Sequence, residues 1–206
     1  MSLTITWLGH ASVLVTDGAS NIYFDPWNLS GSFPPADLIL VTHEHHDHYS
    51  EPDIRMISKP GMKVVAPMKT ALVTDIVKPG EKVLINGIEI TAVPAYNIGK
   101  VFHPRSNGWA GFILTMDRKK IYHAGDTDRI PEMMDIKTDI AFMPSGGTYT
   151  MTSKEAALAA NDVGAKVAIP IHWGDVVGSL EDAKEFERLA GCDVYVLKRN
   201  ETITLD

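Results

Sequence analysis

Residues 42–48 read Thr-His-Glu-His-His-Asp-His, and this stretch decides how the rest of the chain is interpreted. Four of the eight histidines lie within it, so half of the chain's imidazoles are concentrated at one place. The preceding residues 37–42 are apolar and rich in branched side chains, which predicts a short buried strand. The histidines therefore follow the carboxyl end of a strand, where a loop can direct them into a crevice. The alternative is a solvated His-rich loop that binds metal by chance. The position of the histidines inside the chain, directly after a predicted buried strand, argues against this alternative.

The side-chain types in this stretch predict a site for transition metals. Imidazole and carboxylate suit zinc, iron or manganese better than magnesium or calcium, which prefer oxygen ligands. His43 and His45 are two residues apart, so in an extended loop they can point the same way and share one ion. Asp47 and His48 can then serve a second ion. Two metals about 3.5–4 Å apart are a recognised hydrolytic device, because they turn a shared water into hydroxide near neutral pH.

Four other motifs accompany this stretch. They read Trp-Leu-Gly-His-Ala-Ser at 7–12, Phe-Asp-Pro at 24–26, Tyr-His-Ala-Gly-Asp-Thr at 122–127 and Ile-Pro-Ile-His at 169–172. Together with the HxHxDH pattern of residues 43–48, this combination resembles the metallo-β-lactamase superfamily. It is similar to the branch that holds ascorbate-6-phosphate lactonase and the N-acyl-phosphatidylethanolamine phospholipase D enzymes.

The order of predicted elements gives an α/β fold of the αββα type, with two packed mixed β-sheets sandwiched between helices. Strands are predicted over residues 3–9, 12–16, 21–25, 37–42, 63–66, 109–116, 120–123, 139–144, 166–171, 194–197 and 201–205. A further hairpin, over residues 81–94, is predicted around Asn86-Gly87, a strong turn signal. Helices are predicted over residues 51–58, 68–75 and 180–189, and another begins near residue 152.

Composition restricts the class of protein. The 206 residues, with 45% hydrophobic and 22% charged side chains, predict one globular domain over residues 1–206. The net charge of −7 argues against nucleic acid as a partner. The single cysteine, Cys192, fits a reducing compartment. No apolar run approaches the ~20 residues of a membrane span, and no signal peptide is recognisable, so we expect a cytoplasmic protein. Oligomeric state stays open.

The resemblance implies two further metal ligands. Asp126 matches the carboxylate that bridges the two ions in the family, and His172 matches the last ligand, which binds the second ion. The pattern departs from expectation at Asn97, where relatives often carry a ligand histidine after a Pro-Ala-x stretch. We therefore assign the third imidazole of the first ion to His103, six residues later. The alternative is a surface histidine, with Asn97 or water completing the ligand set.

Several other polar residues are candidates for contact with a ligand or the substrate. Asp25 is either an ordinary turn carboxylate or, as the resemblance implies, the acceptor of a hydrogen bond from a ligand histidine, and we favour the second. His10 is either a packed polar residue or a substrate contact, and His123 is either a packed residue or a partner of a ligand. Tyr149 reaches the substrate or lies at the rim. Arg105, with Lys100, either meets an anionic group of the substrate or is solvated.

These assignments predict a metal-dependent hydrolase. Its cofactors are two divalent ions, zinc in the first place, with manganese or iron as alternatives. The nucleophile is metal-bound hydroxide, Asp126 is the bridging catalytic carboxylate, and Asp47 can shuttle a proton. The expected partner is a small-molecule substrate, and the sequence does not decide whether it carries an anionic group. The bond that is cleaved is ester-like and belongs to a lactone or a phosphodiester. The other class is diiron-type redox chemistry, or metal binding without turnover, on the same fold.

Overall fold

The computed structural model describes residues 2–206, and the fourteen strands in this part of the chain form two seven-stranded mixed sheets. The first sheet has the order β14-β1-β2-β3-β4-β5-β6. Its strands are β1 (Leu3–Gly9), β2 (Ser12–Thr16), β3 (Asn21–Phe24), β4 (Leu38–Leu40), β5 (Lys63–Ala66), β6 (Asp75–Ile76) and β14 (Thr202–Leu205). Pairing is antiparallel from β14 to β3 and parallel from β3 to β6.

The second sheet has the order β13-β12-β11-β10-β9-β8-β7. Its strands are β7 (Lys82–Ile85), β8 (Ile88–Pro94), β9 (Ala110–Met116), β10 (Lys119–His123), β11 (Ile140–Pro144), β12 (Val167–Ile171) and β13 (Asp193–Val194). Pairing is antiparallel from β7 to β10 and parallel from β10 to β13. Each sheet therefore starts as a meander of hairpins and ends in parallel strands.

The main apolar core lies between the two sheets. Phe24 from the first sheet meets Phe142 from the second at 6.1 Å between ring centroids, and both side chains are fully buried. Truncating such a phenylalanine to alanine costs about 3–5 kcal/mol. The outer face of the second sheet is covered by α2 (Ser153–Asp162) and α3 (Leu180–Leu189), and that of the first by α1 (Glu51–Met56) with its neighbouring loops.

The predicted αββα arrangement is confirmed, with one element wrong. Residues 68–74 form bends and irregular chain rather than a helix, and Asp75 begins β6. Thr74 explains the difference, because its backbone N–H donates to the Val64 carbonyl at 2.8 Å and its hydroxyl bonds both backbone groups of Val64. This pairing draws the segment alongside β5, where a helix has no room. Within residues 2–206, none of the helices has the length and apolar character needed to cross a bilayer.

Candidate metal centre

Strand ends from both sheets meet at one edge of the sandwich. His10 and Asp25 follow β1 and β3, and the histidine-rich stretch follows β4. Asp126 follows β10 and His172 follows β12, so these two come from the second sheet. In open α/β sheets, the carboxyl ends of parallel strands are the usual place for a ligand, because the loops there are free to converge.

Three of these residues turn the chain in the left-handed backbone region. His10, Asp25 and His172 have φ of 49°, 43° and 60°. Such values cost of order 1–3 kcal/mol for a residue with a Cβ, and surrounding structure must hold them. His172 shows how: its backbone N–H donates to the His10 carbonyl at 2.9 Å, so the two turns lock the edges of the sheets together.

The first group of candidate ligands is His43, His45 and His103. One side-chain nitrogen of each lies within 4.8 Å of the others. His43 Nε2 is 3.0 Å from His45 Nδ1, and the rings of His43 and His103 are 5.2 Å apart between centroids. His103 is buried, so the structure does not place it on the surface.

The second group is His10, Asp47, His48 and His172, whose ligating atoms also lie within 4.8 Å of one another. His10 is fully buried and its Nε2 is 3.1 Å from Asp47 Oδ2. It does not line the pocket above the site. The structure therefore places His10 beside Asp47, a candidate ligand.

Asp126 lies between the two groups. Its Oδ2 is 3.2 Å from His103 Nε2 and 3.0 Å from His172 Nε2, and its Oδ1 is 3.3 Å from His48 Nε2. One carboxylate thus faces an imidazole of the first group and two of the second. Asp126 is therefore the carboxylate that lies within 3.3 Å of imidazoles from both groups.

The chemistry of these atoms fits bound cations. Within residues 2–206, His48 Nε2, His103 Nε2, both His172 ring nitrogens and Asp126 Oδ1 are buried and make no hydrogen bond, because the short contacts to Asp126 are not aligned for one. Buried polar atoms are normally satisfied, and leaving one unpaired costs about 1–3 kcal/mol. Two donors held about 2.0–2.1 Å from one tetrahedral zinc lie roughly 3.3–3.4 Å apart. The three contacts of Asp126 with His172, His103 and His48, at 3.0, 3.2 and 3.3 Å, lie at or just below that spacing.

The electrostatics also favour positive charge at the centre. Burial raises the pKa of Asp126, but His172 and His48 outweigh burial, so its pKa lies well below the ordinary value. Burial lowers the pKa of His48, yet the carboxylates of Asp126 and Asp25 raise it well above normal. Burial lowers the pKa of His43, keeping this imidazole neutral and able to bind metal.

The carboxylate of Asp25 holds Thr42 and His48 in place through hydrogen bonds. Its Oδ2 accepts from His48 Nδ1 at 2.7 Å and from the Thr42 hydroxyl at 2.7 Å. Its Oδ1 accepts from the Thr42 backbone N–H at 2.7 Å. The bond to Nδ1 leaves His48 Nε2 facing Asp126, so the carboxylate selects the tautomer that a ligand needs.

Asn97 stands behind His103 rather than in the ligand groups. Its Oδ1 accepts from both the ring Nδ1 and the backbone N–H of His103, each at 3.0 Å. Its Nδ2 donates to Asp128 Oδ1 at 3.0 Å, and Asp128 also pairs with Lys100 at 2.6 Å. An asparagine where a histidine was expected thus orients the histidine that follows.

Three other candidates lie outside the two ligand groups. His123 is buried, stacks on Phe24 and bonds the Ala11 carbonyl at 2.8 Å, so it packs between the sheets. Arg105 pairs with Glu132 at 2.8 Å and lies over the Tyr96 ring. Tyr149 lines the pocket above the candidate ligands.

Sequence reasoning did not identify two residues that shape the site. Asp128 organises the loop of Asn97 through contacts across about thirty positions, which no local pattern reveals. Trp109 packs against the rings of His43, His45 and His103, with centroids 4.8–5.5 Å away. Its place at the start of a predicted strand gave no signal of this role.

The fold and the clustered imidazoles define a metal-binding αββα protein. A structure described as a metal-dependent hydrolase from Parabacteroides distasonis is 35% identical, covers 97% of this chain and 94% of its own, and superposes with a TM-score of 0.84. A metallo hydrolase from Ignicoccus hospitalis is 25% identical, covers 100% and 99%, and superposes with a TM-score of 0.81.

Sequence comparison places the chain in a family. Residues 4–172 match the model described as the beta-lactamase superfamily domain. A protein of Methanoregula boonei, named a metal-dependent hydrolase, is 34% identical over 98% of this chain and 97% of its own length. The chain belongs to the metallo-β-lactamase superfamily.

Proposed function

We propose that this protein is a hydrolase that uses two bound metal ions to cleave an ester-like bond. One observation carries the proposal: buried imidazole and carboxylate atoms from both sheets converge around Asp126, and several of them make no hydrogen bond within residues 2–206. The relatives named metal-dependent hydrolases support the reaction class. The resemblance to the ascorbate-6-phosphate lactonase branch makes a lactone one candidate bond and a phosphodiester the other.

In this proposal the first ion is held by the group of His43, His45 and His103. The second is held by Asp47, His48 and His172, and Asp126 bridges them. When bound, such ions lower the pKa of a water molecule and polarise the group under attack. Imidazole-rich sites suit zinc, with manganese and iron as the other candidates.

The chain's own residues then orient the groups and move the proton. The indole of Trp109 packs against the first group and excludes water from that side. Asp47 lines the pocket, and His10 holds its Oδ2 at 3.1 Å. We propose that Asp47 takes a proton from the attacking water and returns it to the leaving oxygen as the ester C–O or P–O bond breaks.

Glu44 bears on the redox alternative, because diiron chemistry on this fold would favour an additional carboxylate ligand. Its Oε2 instead accepts from the Trp109 indole N–H at 2.6 Å. Among residues 2–206, Glu44 does not belong to any group that brings ligand atoms together. This favours hydrolysis over the redox class.

The first test combines metal content with activity. Asp126→Ala should fold, lose bound metal and hydrolyse none of the lactones, carboxylic esters or phosphodiesters that the zinc-loaded parent cleaves. Elemental analysis of chelator-treated and reloaded protein gives the metal content. Full activity of Asp126→Ala would overturn the bridging role.

A matched pair of histidine variants tests the first group. His103→Ala should lose one ion per chain, because it removes a buried donor that faces Asp126. His46→Ala is the control, since its side chain is 83% exposed and does not belong to any ligand group in residues 2–206. If both variants hold the parent's metal content, another residue completes the site.

A further inference from the structure

The pocket above the candidate ligands has a polar floor and an apolar wall. Candidate metal ligands and the exposed His46 form its polar part, and its wall consists of Phe102, Tyr149 and Val176. The Phe102 and Tyr149 rings meet edge to face at 4.8 Å between centroids, which holds both at the mouth. Phe102 and Val176 are 42% and 43% exposed, so they present apolar surface to whatever enters.

The nearest cations do not face this pocket. Lys100 donates to Asp128 Oδ1 and to the Thr150 carbonyl, both at 2.6 Å. Arg105 is paired with Glu132. The pocket-lining residues do not include lysine or arginine. A carboxylate or phosphate lying against Phe102, Tyr149 and Val176 would find no lysine or arginine there and would lose part of its hydration.

The size of the pocket limits the substrate as well. Its volume is about 260 Å³, below the ~300–1,000 Å³ of pockets that take drug-sized ligands. Only one short chain or one ring therefore fits between the floor and the apolar wall.

We propose that the substrate carries a small uncharged alkyl or aryl group, which lies against Phe102, Tyr149 and Val176. This inference rests on the proposed hydrolysis at the same site and specifies the group attached to the bond that is cleaved. It also excludes an anionic group at the distal end of the substrate.

The experiment measures binding instead of turnover. Zinc-loaded protein is titrated by calorimetry with acetohydroxamate, butanohydroxamate and hexanohydroxamate, whose common head group binds zinc. A fully buried methylene improves affinity about fourfold. Because the wall is half exposed, we expect about twofold to fourfold per methylene. Succinic monohydroxamate, with a carboxylate at its end, should bind more weakly than butanohydroxamate.

Matched variants localise the effect. Phe102→Ser and Val176→Ser should flatten the dependence on chain length while leaving acetohydroxamate affinity unchanged. Val101→Ser is the control, because Val101 neighbours Phe102, is 85% exposed and does not line the pocket. Val101→Ser should therefore show the same dependence of hydroxamate affinity on chain length as the parent.

The outcomes separate the two proposals. If acetohydroxamate binds but longer chains bind no better, or the carboxylated probe binds best, the substrate inference fails and the metal centre stands. If acetohydroxamate does not bind zinc-loaded protein, the metal centre fails and the inference fails with it. Equal flattening in Val101→Ser would also overturn the inference, because it would move the apolar contact out of the pocket.

Discussion

Replacing Asp25 with asparagine should weaken metal binding without touching a proposed ligand. The carboxylate accepts three hydrogen bonds, from His48 Nδ1 and from the backbone and hydroxyl of Thr42. Asparagine keeps one acceptor oxygen but presents an NH₂ group where the other oxygen stood. The new NH₂ group and the Nδ1–H of His48 then face each other as two donors, unless the His48 proton moves from Nδ1 to Nε2. An Nε2 that carries a proton cannot bind a cation.

The expected size of the effect follows from these contacts. Losing a hydrogen-bonded partner of a ligand histidine costs about 10–100-fold in metal affinity, which is about 1.4–2.7 kcal/mol. In metal-free protein the variant also loses hydrogen bonds to a charged group, worth about 1.5–3 kcal/mol of unfolding free energy. The two losses are separate, because one concerns the loaded protein and the other the metal-free one.

Zinc affinity is measured by competition with a chromophoric chelator, and stability by urea unfolding with excess chelator. Asp53→Asn is the matched control, since Asp53 is also buried and accepts from the backbone N–H groups of Asn28 and Leu29 at 2.9 and 3.0 Å. It should lose stability but keep its zinc affinity. Parental zinc affinity in Asp25→Asn, or an equal loss in both variants, would refute the reasoning.

Three further predictions concern other parts of the chain. Asn97→Ala removes the acceptor behind His103, so competition with a chromophoric chelator should find zinc affinity reduced about 10–100-fold; unchanged affinity would contradict the role of Asn97. Gly125→Ala places a Cβ 2.9 Å from Thr42 at φ +65°, so in urea unfolding it should cost more than the ~1–3 kcal/mol of backbone strain that Gly147→Ala, which meets no atom, carries alone; equal losses would argue against the close approach. Lys166, and then the Lys120 backbone N–H, lower the pKa of Asp139. Asp139 therefore stabilises the fold at pH values above its unfolded pKa of about 3.9, and this stabilisation is lost as pH falls through its folded pKa. Asp139→Asn should cost about 0.5–1 kcal/mol at pH 7 and nothing near pH 2, and a loss independent of pH would contradict it.

Local signals in the sequence were sufficient for most of the fold. The Asn86-Gly87 pair predicts a tight hairpin, and both residues have positive φ of 51° and 79°, as that turn requires. Thr152 and Glu155 predict a helix start, and the structure has both bonds of the capping box. These features depend on neighbouring residues, so the sequence displays them directly.

Contacts between distant residues were beyond the sequence. The helix expected at 68–75 fails because Thr74 pairs with Val64, ten positions away. In the site, a motif can suggest that His103 is a ligand, but it cannot show that Asn97 and Asp128 orient it. Likewise, the flanking charge of Arg105 gave no sign that Glu132 would hold it. Such partners are set by packing, which only the folded chain defines.

The division of the candidate ligands between the two sheets has a consequence for assembly. His43 and His48 belong to one sheet and Asp126 and His172 to the other, so any ion held among them ties the two layers together. Binding restricted to the native state adds to unfolding free energy in proportion to the logarithm of metal concentration. A chain whose layers had slipped by one residue would have no place for the cation, so occupancy itself would report that the halves had docked in register.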